Sequence, residues 1–267
     1  MAIITISRGT FSGGKALAEC LSRTLGYRSI DREMLVQKAA TRRITAADLR
    51  AALEHPPSIP GRFNHARYIY LALIQAALTE EVRSGHAVYH GLAGQLLLRG
   101  APSLLRVRII APMEYRIRMA QEQLNLSRGE VTAHIEAMDG DRRKWTHFLY
   151  GVDWGEPSLY DLLINLEHMS VEQASRVVVS MVEGGGFELS PEGRAAMDDL
   201  ALANRVRARL AQDPFTENLE VEVQSRGGSI AIRGDCSEEA EAIQRVVWAV
   251  PGVTGLTVDT AVVPPPD

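Results

Sequence analysis

The residues Gly9-Thr10-Phe11-Ser12-Gly13-Gly14-Lys15 place glycines and a lysine at the G-x-x-x-x-G-K spacing of a phosphate-binding loop. In such a loop successive backbone N–H groups converge on phosphate oxygens, and the lysine ammonium reaches the terminal ones. A helix beginning near Lys15 would add the positive end of its dipole. Gly9, Ser12, Gly13, Gly14 and Lys15 are therefore the candidate phosphate-binding residues. The same stretch could be a plain glycine-rich turn carrying an exposed lysine; its setting between a buried strand and a helix favours the phosphate reading. One position departs from the pattern. The residue after the lysine should be Ser or Thr, whose hydroxyl helps to hold Mg²⁺, and here it is Ala16. Either magnesium is held through water and other groups, or phosphoryl transfer is impaired.

The flanking segments supply the elements that must position this loop. Ala2-Ile3-Ile4-Thr5-Ile6-Ser7 is a short β-branched run that reads as a strand buried on both faces. After Lys15 the apolar residues Leu17, Ala18, Leu21 and Leu25 recur at helical spacing and stop at Gly26, a C-terminal cap. Further strands are expected at Tyr27–Ile30, ending in Asp31, then at Ala87–His90, Leu105–Ile110 and Asp161–Asn165. Residues 32–85 read as helical, interrupted by a mobile loop at His55-Pro56-Pro57-Ser58-Ile59-Pro60-Gly61. A second helical stretch, Glu114 to Leu149, could fold over the carboxyl edge of the sheet, where ligands bind in open α/β folds. The alternation predicts an α/β domain, a parallel sheet with helices on both faces, over residues 1–182.

Glu183 to Gly193 has linker composition, which places a linker at 183–194. Beyond it the pattern predicts a small α+β module over 195–263, in the order α-β-β-α-β. Its elements are a helix at about 195–212, strands at Leu219–Gln224 and Ser229–Arg233, a helix at Ser237–Val250 and a strand at Val253–Val262. Pro264-Pro265-Pro266 is expected to end the chain, at 264–267, as a disordered tip.

Bulk properties narrow the partners. The chain has 267 residues, 46% of them apolar, and a formal net charge of −4 without a massed basic patch. Nothing in that balance calls for nucleic acid or a membrane surface. The N-terminal apolar run is too short for a signal peptide or a span, so the expected compartment is the cytoplasm. Cys20 and Cys236 lack metal-site spacing and read as ordinary thiols. No Ser-His-Asp order, His-Glu-x-x-His helix or cysteine cluster supports a hydrolase or a metalloenzyme, and no metal ligand is named by the sequence. Trp145, Phe148 and Trp154 are expected to pack rather than to stack on a base.

Several separated motifs fall in order along the first 180 or so residues. They are Ile4-Thr5-Ile6-Ser7-Arg8, the Ser12-Gly13-Gly14-Lys15 loop, Leu25-Gly26-Tyr27 leading to Asp31, and His90-Gly91. Ala111-Pro112-Met113-Glu114-Tyr115-Arg116-Ile117-Arg118 follows, then Asp139 with Arg142, Tyr150-Gly151-Val152-Asp153-Trp154, and Tyr160-Asp161-Leu162 leading to Asn165. In this the chain resembles the cytidylate kinase-like branch of the P-loop nucleoside monophosphate kinases. The resemblance implies transfer of a phosphoryl group from ATP, with Mg²⁺, to a nucleoside monophosphate such as CMP, under a basic lid. It also implies catalytic roles for Lys15, Arg116 and Arg142 and acceptor contacts for Asp31 and Arg118. Each arginine has an alternative in an ion pair with Glu114 or Asp139, and Asp31 has one as a helix N-cap. Where cytidylate kinases proper carry Glu-Gly-Arg-Asp, this chain has His90, Gly91, Leu92 and Ala93. His90 is then either a hydrogen-bonded structural residue or a polar contact replacing the lost carboxylate. A catalytically impaired nucleotide sensor is the competing function.

Residues 196–263 resemble a BON domain, on Leu202 to Leu210, Leu219-Glu220-Val221-Glu222-Val223, Gly228-Ser229-Ile230-Ala231-Ile232-Arg233-Gly234 and Val250-Pro251-Gly252-Val253. That resemblance implies binding rather than catalysis, through a protein partner or self-association; the sequence makes membrane contact an unlikely use of it.

Overall fold

The computed structural model describes residues 2–41, 43–54, 65–91 and 93–260, with the side chains of 52–54, 65–67 and 148 left aside. Strand β1 (Ile3–Arg8) leads through the glycine-rich loop into helix α1 (Gly14–Leu25). Then come β2 (Arg28–Asp31), α2 (Arg32–Ala39), α3 (Ala46–Glu54), α4 (His65–Val82), β3 (Ala87–His90) and α5 (Gly94–Leu97). The first sheet is completed by β4 (Leu104–Ile110) and β5 (Leu162–Asn165), with α6 (Met113–Leu124) and α7 (Arg128–Tyr150) between them and α8 (Val171–Glu183) after. The five strands run parallel in the order β2-β3-β1-β4-β5, so β1 is central.

Centrality explains the composition of β1, because both of its faces are covered. Ile3 joins a core with Ile30, Leu35, Leu78 and Tyr89, whereas Ile4 and Ile6 join a core on the other face with Leu17, Leu21, Leu105 and Val178. The alternation carries helices α2, α4 and α7 to one side and α1 and α8 to the other. The lid helices α6 and α7 have a small core of their own in Ile117, Ala120, Val131 and Ile135, and Phe11 of the glycine-rich loop packs against it.

The second sheet is built differently. Helix α9 (Pro191–Leu210) precedes β6 (Glu222–Arg226), β7 (Ser229–Arg233), α10 (Ala240–Trp248) and β8 (Gly255–Asp259). β6 and β7 pair antiparallel, β7 and β8 parallel. The helix expected from about residue 195 starts at Pro191, because Ser190 caps it by accepting the Gly193 N–H at 3.0 Å and proline suits the first helical position. The strand expected at Leu219 begins at Glu222: the chain before it winds in turns, with the Thr216 hydroxyl donating to the Leu210 carbonyl at 2.7 Å. The predicted breaks at 55–61 and 264–266 lie outside the described residues.

Helix α9 serves both cores. Met197 and Ala208 belong to the core under the parallel sheet, and Leu202, Val206 and Leu210 to the core of the small one. Against α4 it makes a buried hydrogen bond, Asn204 Nδ2 to Thr79 Oγ1 at 2.9 Å, and ion pairs from Arg83 to Asp198 at 2.5 Å and from Arg205 to Glu80 at 3.8 Å.

Candidate phosphate-binding site

The glycine-rich loop is shaped from within. Ser12 is buried; its hydroxyl donates to the Gly9 carbonyl at 2.9 Å and its N–H to the same carbonyl at 3.2 Å. Ser12 was expected to bind phosphate, but both of its donors are committed to the loop, and its observed work is to hold the turn. Gly13 sits at φ +89°, and a Cβ there would lie 2.7 Å from the Leu166 side chain, so the position admits only glycine. Gly13 is also the N-cap of α1 and offers no side chain to its free N–H groups; the first turn holds no acidic residue. The amino end of α1 therefore keeps its positive character for an external anion. Lys15 is exposed there, with a 3.9 Å approach to Glu19 one turn along.

A cavity of about 230 Å³ opens beside this loop, lined by Ser7, Arg8 and Lys15, by Asp31, Arg32 and Glu33, by His90, and by Asp141, Arg142 and Trp154 among others. The carboxyl ends of β1, β2 and β3 all contribute, which is where an open parallel sheet binds ligands. In-register pairing of β2 with β3 sets Asp31 beside His90. Asp31 caps α2, accepting the Met34 N–H at 2.7 Å, and still lines the cavity, so both of its expected roles are structurally open. His90 is buried and, among the described residues, has no hydrogen-bond partner at Nδ1; burial together with the Arg8 charge pushes its imidazole below the ordinary value, which keeps it neutral at pH 7.

The lid arginines converge on one carboxylate. Asp139 of α7 accepts the Thr10 N–H at 3.0 Å, the Thr10 hydroxyl at 2.7 Å, an Arg142 N–H at 3.2 Å, and an Arg116 N–H. Arg116 also donates Nε to the Thr10 carbonyl at 2.8 Å, and Arg142 to the Arg8 carbonyl at 3.2 Å. Burial, and then Arg8 and Arg32, hold the Arg142 guanidinium down at about 10, with Asp139 opposing them. Arg116 and its surroundings stand over Gly9, whose missing Cβ would lie 3.3 Å from that guanidinium carbon. The structure thus brings Lys15, Asp31 and Arg142 to one cavity, with the loop of Gly9, Gly13 and Gly14 adjoining it, and sets Arg116 over Gly9 without its lining the cavity. Arg118 is exposed on α6 and does not line the cavity, while Glu114 pairs with Arg128 at 2.9 Å instead of with an arginine of its own helix.

Sequence reasoning missed three contributors. Arg8 ends β1 inside the cavity; the signal was its place directly before the loop. Thr10 joins loop to lid through Asp139. Arg108 of β4 is buried over the Trp154 ring at 4.2 Å, donating to the Trp154 carbonyl at 2.8 Å and to the Tyr160 hydroxyl at 3.2 Å. The Tyr160 hydroxyl in turn reaches the Trp154 carbonyl at 2.7 Å, so the segment after α7 is pinned beneath the cavity. Trp145 and Trp154 are buried and both line the cavity.

The position after Lys15 offers a magnesium ion no hydroxyl, while the carboxylates of Asp31 and Asp141 line the cavity beside the loop. Ala16 is exposed and has no ligand atom, and among the described residues no group of three or more His, Cys, Asp and Glu gathers at metal-binding distance. Leu92 lies outside the described residues. Among those described, no helix is long and apolar enough to cross a membrane.

Comparison with known proteins agrees with this geometry. The model of the cytidylate kinase-like family matches residues 3–168, and that of the BON domain matches residues 198–264. A cytidylate kinase of Thermococcus kodakarensis is 24% identical over 198 residues, covering 74% of this chain and 94% of that protein. A cytidylate kinase of Staphylothermus marinus is 23% identical over 185 residues, 68% of this chain and 97% of that one. Among solved structures, an uncharacterized protein from Eubacterium ventriosum superposes with a TM-score of 0.55 at 16% identity, covering 69% of this chain and 99% of its own, a likeness of fold.

Proposed function

Because the chain belongs to the cytidylate kinase-like family, we propose that it binds a nucleoside triphosphate such as ATP at the Gly9–Lys15 loop and transfers its terminal phosphoryl group to a nucleoside monophosphate such as CMP. The P–O bond to the donor's β-phosphate breaks, a P–O bond to the acceptor's phosphate oxygen forms, and two nucleoside diphosphates leave. Chemistry of this kind asks the protein for position and charge rather than for covalent participation. Lys15 and the free N–H groups of α1 hold the donor phosphates. Arg142 and Arg116, released from Asp139, neutralise charge on the transferring group, and Asp31 faces the acceptor. Arg118 would join them only if α6 moved inward.

One observation carries this reading: Lys15, Arg8, Arg32 and Arg142 line one cavity at the carboxyl ends of β1 to β3. At about 230 Å³ that cavity is smaller than the ~300–1,000 Å³ of typical ligand sites, so admitting two nucleotides requires the lid to lift. Titration calorimetry with ATP and CMP, paired with a coupled assay of ADP release, tests the proposal. Binding with turnover, both lost in Lys15→Ala, supports it; failure of either nucleotide to bind refutes it.

A second reading has its own support. Both lid arginines are held by Asp139, and the loop lacks the metal-holding hydroxyl. A chain that binds nucleotide without turnover would act as a sensor, passing its state through α4 and α9 to a protein partner or a second copy at the BON-like domain. A cytoplasmic location suits either function.

A further inference from the structure

Among the described residues, Arg8 forms no ion pair with an acid. Its stem lies across Gly14, the first residue of α1, where an added Cβ would meet Arg8 Cδ at 2.6 Å and Cβ at 2.8 Å. The notch left by glycine therefore seats the arginine and carries its guanidinium to the amino end of the helix, among the cavity-lining residues beside Lys15. Half-buried there, the Arg8 side chain makes no hydrogen bond or ion pair among the described residues. Burial, and then the neighbouring Arg32, push its guanidinium below the ordinary value, with Tyr89, Asp31 and Glu19 opposing them.

The nearby acids act on that charge only through space, Asp31 and Glu19 among them, and are engaged elsewhere. Asp31 is turned to the Met34 N–H at 2.7 Å, Glu33 accepts from Arg50 at 3.2 Å, and Asp141 lies 3.7 Å from Lys144. Arg142, another half-buried guanidinium of the cavity, has Asp139. A desolvated charge left unpaired is costly, and such a group in a cleft marks a site for a charged ligand. Gly14, which the Arg8 stem crosses, stands two positions before Ala16, the residue where phosphate-binding loops carry their metal-holding hydroxyl.

We propose that Arg8 stands in for the divalent metal at this loop: its guanidinium, with Lys15, neutralises a bound polyphosphate, which the protein therefore holds without Mg²⁺. The planar fork suits bidentate contact with phosphate oxygens. This rests on the reading that the loop binds the phosphates of a nucleotide.

Calorimetry with ATP and with inorganic tripolyphosphate, each in EDTA and in excess Mg²⁺, separates the two claims. Wild-type protein is expected to bind ATP about as tightly in EDTA as in Mg²⁺. Arg8→Gln should bind it roughly 10- to 100-fold more weakly in EDTA, the loss of one charge-assisted contact. Arg8→Lys, which keeps the charge and a stem for the Gly14 notch, should retain much of what glutamine loses. Unfolding of the ligand-free Arg8→Gln protein should come at a temperature no lower than wild type, since the variant relieves an unpaired charge. ATP binding that requires Mg²⁺, wild-type affinity of Arg8→Gln in EDTA, or equal losses in the two variants would overturn the proposal. Tripolyphosphate bound through Arg8 while ATP is refused would keep the anion site and remove the nucleotide reading; refusal of both would remove both.

Discussion

Replacing Asp139 by asparagine preserves the shape of the junction between loop and lid and removes its charge. The wild-type carboxylate answers Thr10 twice and both lid arginines, with side-chain exposures of 16% for Asp139, 13% for Arg116 and 23% for Arg142. Those values lie well below a surface pair and above a fully buried one. Surface pairs contribute ~0–1 kcal/mol, and breaking a buried pair costs ~3–5 kcal/mol. Asparagine can still accept from Thr10 but turns an amide N–H₂ toward a guanidinium, so a cost of about 3 kcal/mol is expected. For a chain of this size that corresponds to a fall in Tm of roughly 6–12 °C. Urea and thermal unfolding followed by circular dichroism measure it directly. Arg116→Gln should interact with it, the double variant losing less than the two single losses combined. A loss under about 1 kcal/mol in Asp139→Asn, with additive doubles, would refute the view that this carboxylate ties lid to loop.

Three further outcomes are expected. Gly13→Ala forces a side chain into a φ of +89° with Leu166 2.7 Å away, and should cost about 1–3 kcal/mol in unfolding measurements while disrupting ATP binding in calorimetry. Asn204→Ala removes the buried donor to Thr79 Oγ1 and should lower stability by ~1–3 kcal/mol in urea unfolding. His90 is held below its ordinary value, so between the native and unfolded values the unfolded chain binds more protons and stability rises with pH. Acidification below about pH 6.5 should therefore destabilise wild type relative to His90→Gln, and parallel Tm curves from pH 7.5 to 5 would contradict this.

Fold and site were unequally legible. The β1-loop-α1 unit could be read because a buried β-branched run, a glycine spacing and a helical period stand next to one another. β3 and β7 matched residue for residue, each being bounded by glycine or a turn. The lid was visible as arginines on a helical stretch, and a pair with Asp139 was one reading open to them, Arg142 lying three residues along the same helix; the tie from Asp139 to Thr10, 129 residues away, carries no periodicity. Arg8 was read only as the end of the opening motif for a related reason: its place in the cavity is a property of three dimensions. The start of α9 was legible in principle, as Ser190-Pro191 is a cap followed by a helix-compatible proline, but the preceding glycines made the segment look like linker.

The helix shared by both cores has a consequence for synthesis. All five strands of the parallel sheet have left the ribosome once Asn165 emerges, yet the flank of α4 that Met197 and Asn204 cover waits for α9. Domains ordinarily fold as units in the order in which they are made. Here the segment that closes the first core is also the one that opens the second, so the nascent chain carries an uncovered apolar flank until both can be finished together.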